Sequence, residues 1–329
     1  GQAEKQGFRM KTGVECEYHL INSDGTDIAD TKDQQSKPCY DQQALMRQYP
    51  VISQICDSMI ELGWGPYQND HEDANGQFEM NWDFDDAIKT ADRHVFFKFM
   101  VKSIAELQGM RATFMPKPFS HLTGNGCHAH ISIWDLAGRQ NLFNGSDDSR
   151  GLGLSPLAYQ FLGGIMHSAD SLAAIFNPAI NSYKRINAPR TLSGATWSPD
   201  SITYGGNNRT HMIRVPEAGR FELRLMDGTA NPYLMQAGIL ACGLDGIEAN
   251  RDPGDPLDIN MYELGEDIKG YKQLPHNLLD AIRLFESSDV LKDRLGSELI
   301  GAFVKLKKKQ WDDYSSHLTK WELDNTLDC

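Results

Sequence analysis

Four short segments of this chain alternate polar and apolar side chains with a period of two, and their polar positions include carboxylates, imidazoles and guanidiniums. From Gly13 to Leu20, Glu15, Glu17 and His19 share one face while Val14, Cys16, Tyr18 and Leu20 share the other. From Gly76 to Trp82, Gln77, Glu79 and Asn81 oppose Phe78, Met80 and Trp82, with Glu72 just upstream. His128, His130 and Ser132 oppose Ala129, Ile131 and Ile133, and Arg220, Glu222 and Arg224 oppose Phe221, Leu223 and Leu225. A period of two fits a strand with one covered face and no helix. Any one such segment reads most simply as an amphipathic strand with a solvated face. Together their polar faces supply five carboxylates, a histidine beside a glycine loop, and two arginines. Hard oxygen donors with one imidazole suit Mg²⁺ or Mn²⁺, whereas zinc favours thiolate or more histidine.

The segments between these strands read as helices. Val51, Ile52, Ile55, Cys56, Met59, Ile60 and Leu62 keep helical spacing, and Gly63 fits a C-cap. A long helix is predicted near 86–107, with Val95, Phe96, Phe99, Met100, Ile104 and Leu107 as its core stripe. Ser155-Pro156 opens a helix running to about Phe176, as cap followed by first-turn proline. Asn231 to Ile247 is helical, 252–273 is irregular and acidic, and the rest is helix-rich. Residues 186–208 are rich in Gly, Ser, Thr, Asn and Pro and read as a long functional loop. Strands and helices interleave without regular βαβ spacing, which predicts an α+β fold with a curved, mainly antiparallel sheet and helices outside it.

The formal charge of −13 over 329 residues argues against nucleic-acid and membrane-surface partners. The balance is uneven, since seven Lys/Arg stand against three Asp/Glu between Lys184 and Arg224, as an anion site would require. Six scattered cysteines without a Cys-x-x-Cys pair read as reduced thiols of a cytoplasmic protein.

The stretch Lys117-Pro118-Phe119-Ser120-His121-Leu122-Thr123-Gly124-Asn125-Gly126-Cys127-His128-Ala129-His130-Ile131-Ser132 resembles the ATP-region signature of the glutamine synthetase family. Residues 112–118, Asn181-Ser182-Tyr183-Lys184-Arg185, Asn208-Arg209, Arg220-Phe221-Glu222-Leu223-Arg224 and Asn231-Pro232-Tyr233 are also similar to that family and follow its order. The resemblance implies a half-barrel catalytic domain spanning 1–329, with 1–10 as the end of a preceding helix and the family's small β-rich N-terminal domain absent. It implies an ATP-dependent ligase that phosphorylates the γ-carboxylate of glutamate and forms an amide with ammonia or a small amine. The alternative is a non-catalytic relative kept for assembly.

By the same resemblance, Glu17, Glu72 and Glu79 hold the divalent ion nearer the substrate carboxylate, and Glu15, His128 and Glu222 hold a second ion on the nucleotide phosphates. His130 and Ser132 line the nucleotide site, and Arg214 and Arg220 meet its phosphates. Arg185, Arg209 and Arg224 face glutamate or the transferred phosphoryl group, Arg209 also serving the nucleotide, and Gly124 lets backbone approach the amino-acid substrate. The implied assembly is a homo-oligomeric ring, as in the family's dodecamers, with each site at a subunit boundary. One departure stands out. Ammonia-using bacterial members follow Asn-Ser-Tyr-Lys-Arg with a glutamate-bearing loop, yet residues 186–191 contain no acid and carry Arg190. Residues 72–80 and the closing 321–329 resemble instead the glutamate–methylamine ligases of the family, which make γ-glutamylmethylamide.

Overall fold

The computed structural model describes residues 1–191, 195–263 and 270–329, so parts of the 186–208 loop and of the irregular 252–273 stretch lie outside the described residues. The strands are β1 (Phe8–Cys16), β2 (Tyr18–Ile21), β3 (Pro66–His71), β4 (Gln77–Trp82), β5 (Asp85–Asp86), β6 (Arg111–Thr113), β7 (Cys127–Asp135), β8 (Tyr204–Gly205), β9 (Ile213–Glu217) and β10 (Arg220–Leu223). They form a six-stranded sheet, β5-β1-β7-β10-β9-β8, and a four-stranded sheet, β3-β4-β2-β6. Every pairing is antiparallel except β8 with β9. The α+β expectation holds, with the strands divided between two open sheets.

The helices are α1 (Gln2–Lys5), α2 (Gln42–Arg47), α3 (Tyr49–Glu61), α4 (Ala87–Leu107), α5 (Pro156–Phe176), α6 (Ser182–Ile186), α7 (Pro232–Glu248), α8 (Leu278–Ser287), α9 (Asp289–Leu295), α10 (Ser297–Ser315) and α11 (Lys320–Thr326). Local chemistry sets their ends. Ser155 caps α5 by accepting from the Ala158 amide ahead of Pro156, and Asn231 caps α7 through the Tyr233 and Leu234 amides ahead of Pro232. Gly63, at φ +70°, ends α3 where a side chain would be strained. No described helix is long and apolar enough to cross a membrane.

Three expectations need correction. The chain does not run straight from Gly13 to Leu20: it leaves the six-stranded sheet at Cys16 and enters the other at Tyr18, with Glu17 alone between them. His19 therefore points away from the carboxylates, fully buried, with Nδ1 2.8 Å from Asn125 Oδ1. The N-terminal helix is only four residues, and β1 already begins at Phe8. In α4 the stripe has a different phase. Met100 and Ile104 are buried, but Val95, Phe96, Phe99 and Leu107 are 43–76% exposed. Its inward side is Thr90, Ala91, His94, Phe97, Val101 and Ala105, and Thr90 Oγ1 donates to the Thr12 carbonyl at 2.7 Å. Small and polar residues at Thr90, Ala91 and Ala105 let the helix approach closely, and Phe97 is the aromatic side chain of its inward side.

The apolar faces of the strands make the core beneath the polar ones. Tyr18 packs with Phe78, Phe97 and Phe114 at ring separations of 5.7–6.2 Å. Beside them Cys16 and Cys127 are cross-strand partners, both fully buried, with the Cys127 sulfur 3.8 Å from Nε2 of His94.

Candidate active site

Register builds the first half of the site. In the six-stranded sheet Glu15 lies opposite His128, and His130 lies opposite Glu222 on its other side, so three adjacent strands set these groups in a row. His130 Nε2 is 2.7 Å from Glu15 Oε1, while His128 Nδ1 lies 3.4 Å from Glu15 Oε2 and 3.3 Å from Glu222 Oε1. The four-stranded sheet supplies the second half, with Glu79 on β4 opposite Asp70 on β3 and Glu72 in the turn between.

Glu17 sits on the seam between the sheets. Its Oε2 accepts from the Gly126 amide at 2.7 Å and from Gln77 Nε2 at 2.9 Å, and its Oε1 lies 3.6 Å from His128 Nε2. The loop carrying Gly126 is pinned from outside the sheets: Asn181 accepts from the Lys117 amide at 2.7 Å and donates to the Lys117 carbonyl at 3.1 Å.

Metal-ligand atoms come within 4.8 Å of one another in three groups at this site: Glu15/Glu79/His128, Glu15/His130/Glu222 and Asp70/Glu72/Glu79. The expected partition into two trios is thus blurred. Glu15 bridges two groups, His130 joins one of them, and Asp70 is an added candidate. A strand reading Tyr67-Gln68-Asn69-Asp70 has no apolar alternation to reveal it.

Electrostatics shows what the cluster lacks. Burial, then the neighbouring Glu17 and Asp70 charges, push the Glu72 carboxyl up to about 8. Burial and the charges of Glu15, Glu72 and Glu17 raise Glu79 well above its ordinary value. Burial also opposes ionisation of Glu15, but hydrogen bonds to His128 and His130 hold it well below the usual range. At Glu222 burial is outweighed by Arg224 and the two imidazoles, which bring it down to about 2. Crowded, buried carboxylates with raised affinity for protons are a site that a divalent cation would relieve. The oxygen-rich donor set fits Mg²⁺ or Mn²⁺.

Four arginines face the same space. Arg214 Nη1 lies 2.7 Å from Glu222 Oε2, and Arg224 pairs with the other oxygen of Glu222. Arg220 touches His130, and Arg209 is exposed on the rim. The buried Arg224 Nε has no partner among the described residues, which leaves a donor for a ligand. Arg185 is placed differently from expectation. It donates to the Leu225 carbonyl at 3.1 Å and the Arg224 carbonyl at 3.4 Å, so it supports the Arg224 backbone and does not line the cavity.

Gly124 also faces its own chain. A Cβ there would stand 2.2 Å from the Pro116 carbonyl, while at Gly126 it would meet Arg185 and His128 nitrogens at 2.8 Å.

Glu15, Glu17, Asp70, Glu72, Glu79, the two histidines and the four arginines border a cavity of about 420 Å³ that also reaches Tyr40, Asp73, Thr123 and Trp197, with Glu222 buried behind its wall. A second cavity of about 370 Å³ shares Glu15, Tyr67, His130 and Arg220 with it and extends along Lys11, Phe84, Ser132 and Trp134. Trp134 Nε1 donates to Ser132 Oγ at 2.9 Å, and Lys11 Nζ lies 4.0 Å from the Trp134 ring centroid. One chamber is thus rich in carboxylates and guanidiniums, and the other is walled by aromatic rings. Such a pair can hold a polyphosphate with a flat base beside a second anionic substrate.

Comparison with known proteins agrees with this geometry. The family profile described as "Glutamine synthetase, catalytic domain" matches residues 1–326. A glutamine synthetase of Rhizobium leguminosarum bv. phaseoli is 62% identical over 99% of this chain and 75% of its own length. A glutamate–methylamine ligase of Methyloversatilis universalis is 43% identical over 99% of this chain and 74% of its own. The solved structure of a "GmaS/ADP complex" superposes with a TM-score of 0.94 at 62% identity, covering 100% of this chain and 75% of that one.

Proposed function

The chain belongs to the glutamine synthetase family, over its catalytic domain, and on that premise we propose that it joins the γ-carboxyl group of glutamate to methylamine, with ATP consumed and γ-glutamylmethylamide released. Ligases of this family form amides of glutamate at the expense of ATP and use divalent metal ions. The observation that carries the reading is the meeting of Glu15, Glu17, Glu72, Glu79 and His128 with Arg209, Arg214, Arg220 and Arg224 in one cavity, with Glu222 buried behind Arg214 and His128. A non-catalytic relative would have no use for so costly a concentration of buried charge.

A carboxylate is a poor acyl donor because oxide is a poor leaving group. The γ-carboxylate oxygen attacks the terminal phosphorus of ATP, the bond to ADP breaks, and an acyl phosphate results. The amine, once it has lost a proton, attacks the acyl carbon, and phosphate leaves with the bonding electron pair. Two Mg²⁺ or Mn²⁺ ions held by Glu15, Glu72, Glu79, His128 and Glu222, with Asp70 among the same groups and Glu17 beside them through its Oε1, would neutralise phosphate charge and polarise the acceptor carboxylate.

The rest is the work of the chain itself. Arg224 and Arg209 clamp glutamate and the transferred phosphoryl group, and Arg214 and Arg220 hold the nucleotide phosphates. His130 and Ser132 border the nucleotide, whose base lies along Trp134 and Lys11. Arg185 keeps Arg224 in place through its backbone.

The amine assignment rests on what borders the acceptor end. Among the described residues of 186–208 the only acid before Asn208 is Asp200, which accepts from Ser201 Oγ at 2.7 Å, has Leu274 bonded to its carbonyl, and does not line the cavity. Arg190 lies 5.5 Å over the Tyr262 ring and also stays outside the lining. A homo-oligomeric ring closing each cavity at a subunit boundary suits the exposed apolar face of α4. A cytoplasmic setting suits the six free cysteines.

Competition between methylamine and ammonia at equal concentration, with Mg·ATP, glutamate and the full-length protein, tests the proposal. A higher kcat/KM for methylamine is expected, and a clear preference for ammonia refutes it.

A further inference from the structure

Resting on that reading, we infer that Trp197 is the residue that sets the amine, its ring walling the acceptor end of the cavity so that a small alkylammonium is chosen over ammonium. Among the described residues three non-glycines have positive φ, namely Tyr40 (+64°), Trp197 (+53°) and Asn250 (+50°). Two of these, Tyr40 and Trp197, line the same cavity. Left-handed backbone at a bulky residue is strained, persists only when its surroundings impose it, and concentrates at ligand sites.

The surroundings that impose it are visible. The Trp197 amide donates to Tyr262 Oη at 2.8 Å, and the two rings meet edge to face at 6.3 Å. Upstream in the chain, Thr191 is tied to the cavity wall, because its Oγ1 lies 3.3 Å from Thr123 Oγ1 and Thr123 donates to Asp73. Asp73 and Thr123 line the cavity beside Glu72. Trp197 is therefore delivered to the carboxylate end, away from the aromatic chamber around Trp134, and is held there.

The chemistry follows from the pairing of walls. Asp73, beside the metal-ligand Glu72, offers carboxylate oxygens to any ammonium ion. An indole face adds cation–π attraction and an apolar surface that a methyl group can cover. Ammonium has no methyl to bury and gives up more hydration against such a wall. The ring thus favours methylammonium through binding, and the preference belongs in KM more than in kcat.

The test uses the full-length protein with Trp197→Phe, Trp197→Leu and Trp197→Ala, assayed with methylamine and with ammonia. Glutamate-dependent ADP release without added amine is followed in parallel. Trp197→Ala and Trp197→Leu are expected to lower the methylamine-to-ammonia ratio of kcat/KM by on the order of tenfold, mainly through methylamine KM, and Trp197→Phe to restore most of it. Leucine keeps an apolar side chain, so the Phe/Leu contrast stands even if alanine disturbs folding. An unchanged ratio in Trp197→Leu, or equal loss with both amines, overturns the inference and leaves the ligase reading intact. Absence of glutamate-dependent ADP release with either amine in the unaltered protein overturns the ligase reading itself.

Discussion

Arg224 shows how much one side chain must do here. It is buried, paired with Glu222, 3.4 Å from His128, and its Nε has no partner among the described residues. Lysine in its place would keep the charge and lose the planar fork that meets a carboxylate or phosphoryl group with two parallel bonds. Arg224→Lys is therefore expected to lower kcat by on the order of a hundredfold, in line with losing a transition-state donor, while an exposed pair such as Arg283 tolerates the same change. Steady-state kinetics of both variants checks this.

His19 makes a different prediction. Burial holds its imidazole neutral, down to about 3, against an ordinary value near 6.5. The unfolded chain takes up a proton as pH falls below about 6.5, and the folded chain does not until pH nears 3. Stability is thus present above that window and declines through it. His19→Gln keeps a donor toward Asn125 and removes the titration, so the slope of unfolding free energy between pH 6 and 4 is expected to flatten by about 1.4 kcal/mol per pH unit.

Among the elements, the strands that alternate strictly were legible and those that do not were hidden. Glu15, Glu79, His128 and Glu222 could be read from sequence because a period of two assigns each to a face. The division into two sheets could not, since alternation continues through Glu17 whether or not the chain changes sheet. Asp70 lacks apolar neighbours to give its strand a phase, and Trp197 lies in a loop with no period at all. Helix α4 was legible in length and not in phase, because apolar residues occupy both of its sides. The phase can be checked by paired truncations. Phe97→Ala empties a fully buried position and is expected to cost about 3–5 kcal/mol, whereas Phe99→Ala, 64% exposed, is expected to cost less than about 1 kcal/mol. Urea midpoints of the two variants decide between the inward and outward assignments.

For the whole molecule, the passage of the chain through Glu17 matters beyond chemistry. A single residue joins the two sheets, and its carboxylate reaches toward His128 of one while being held by Gln77 of the other. An ion shared by Glu15, Glu79 and His128 has ligands in both sheets, so it acts as a rivet across a joint. Saturating Mg²⁺, at about a hundred times its Kd, is expected to stabilise the fold by about 2.7 kcal/mol, and Glu79→Gln to reduce that gain. With an ion in place, the two sheets would be held to one alignment at this joint. Without the ion the joint would be held less firmly, and amide exchange at Gly126 and Glu17 is expected to quicken before that of the aromatic core around Tyr18. The protein would then gauge the supply of divalent ion in the width of its own seam.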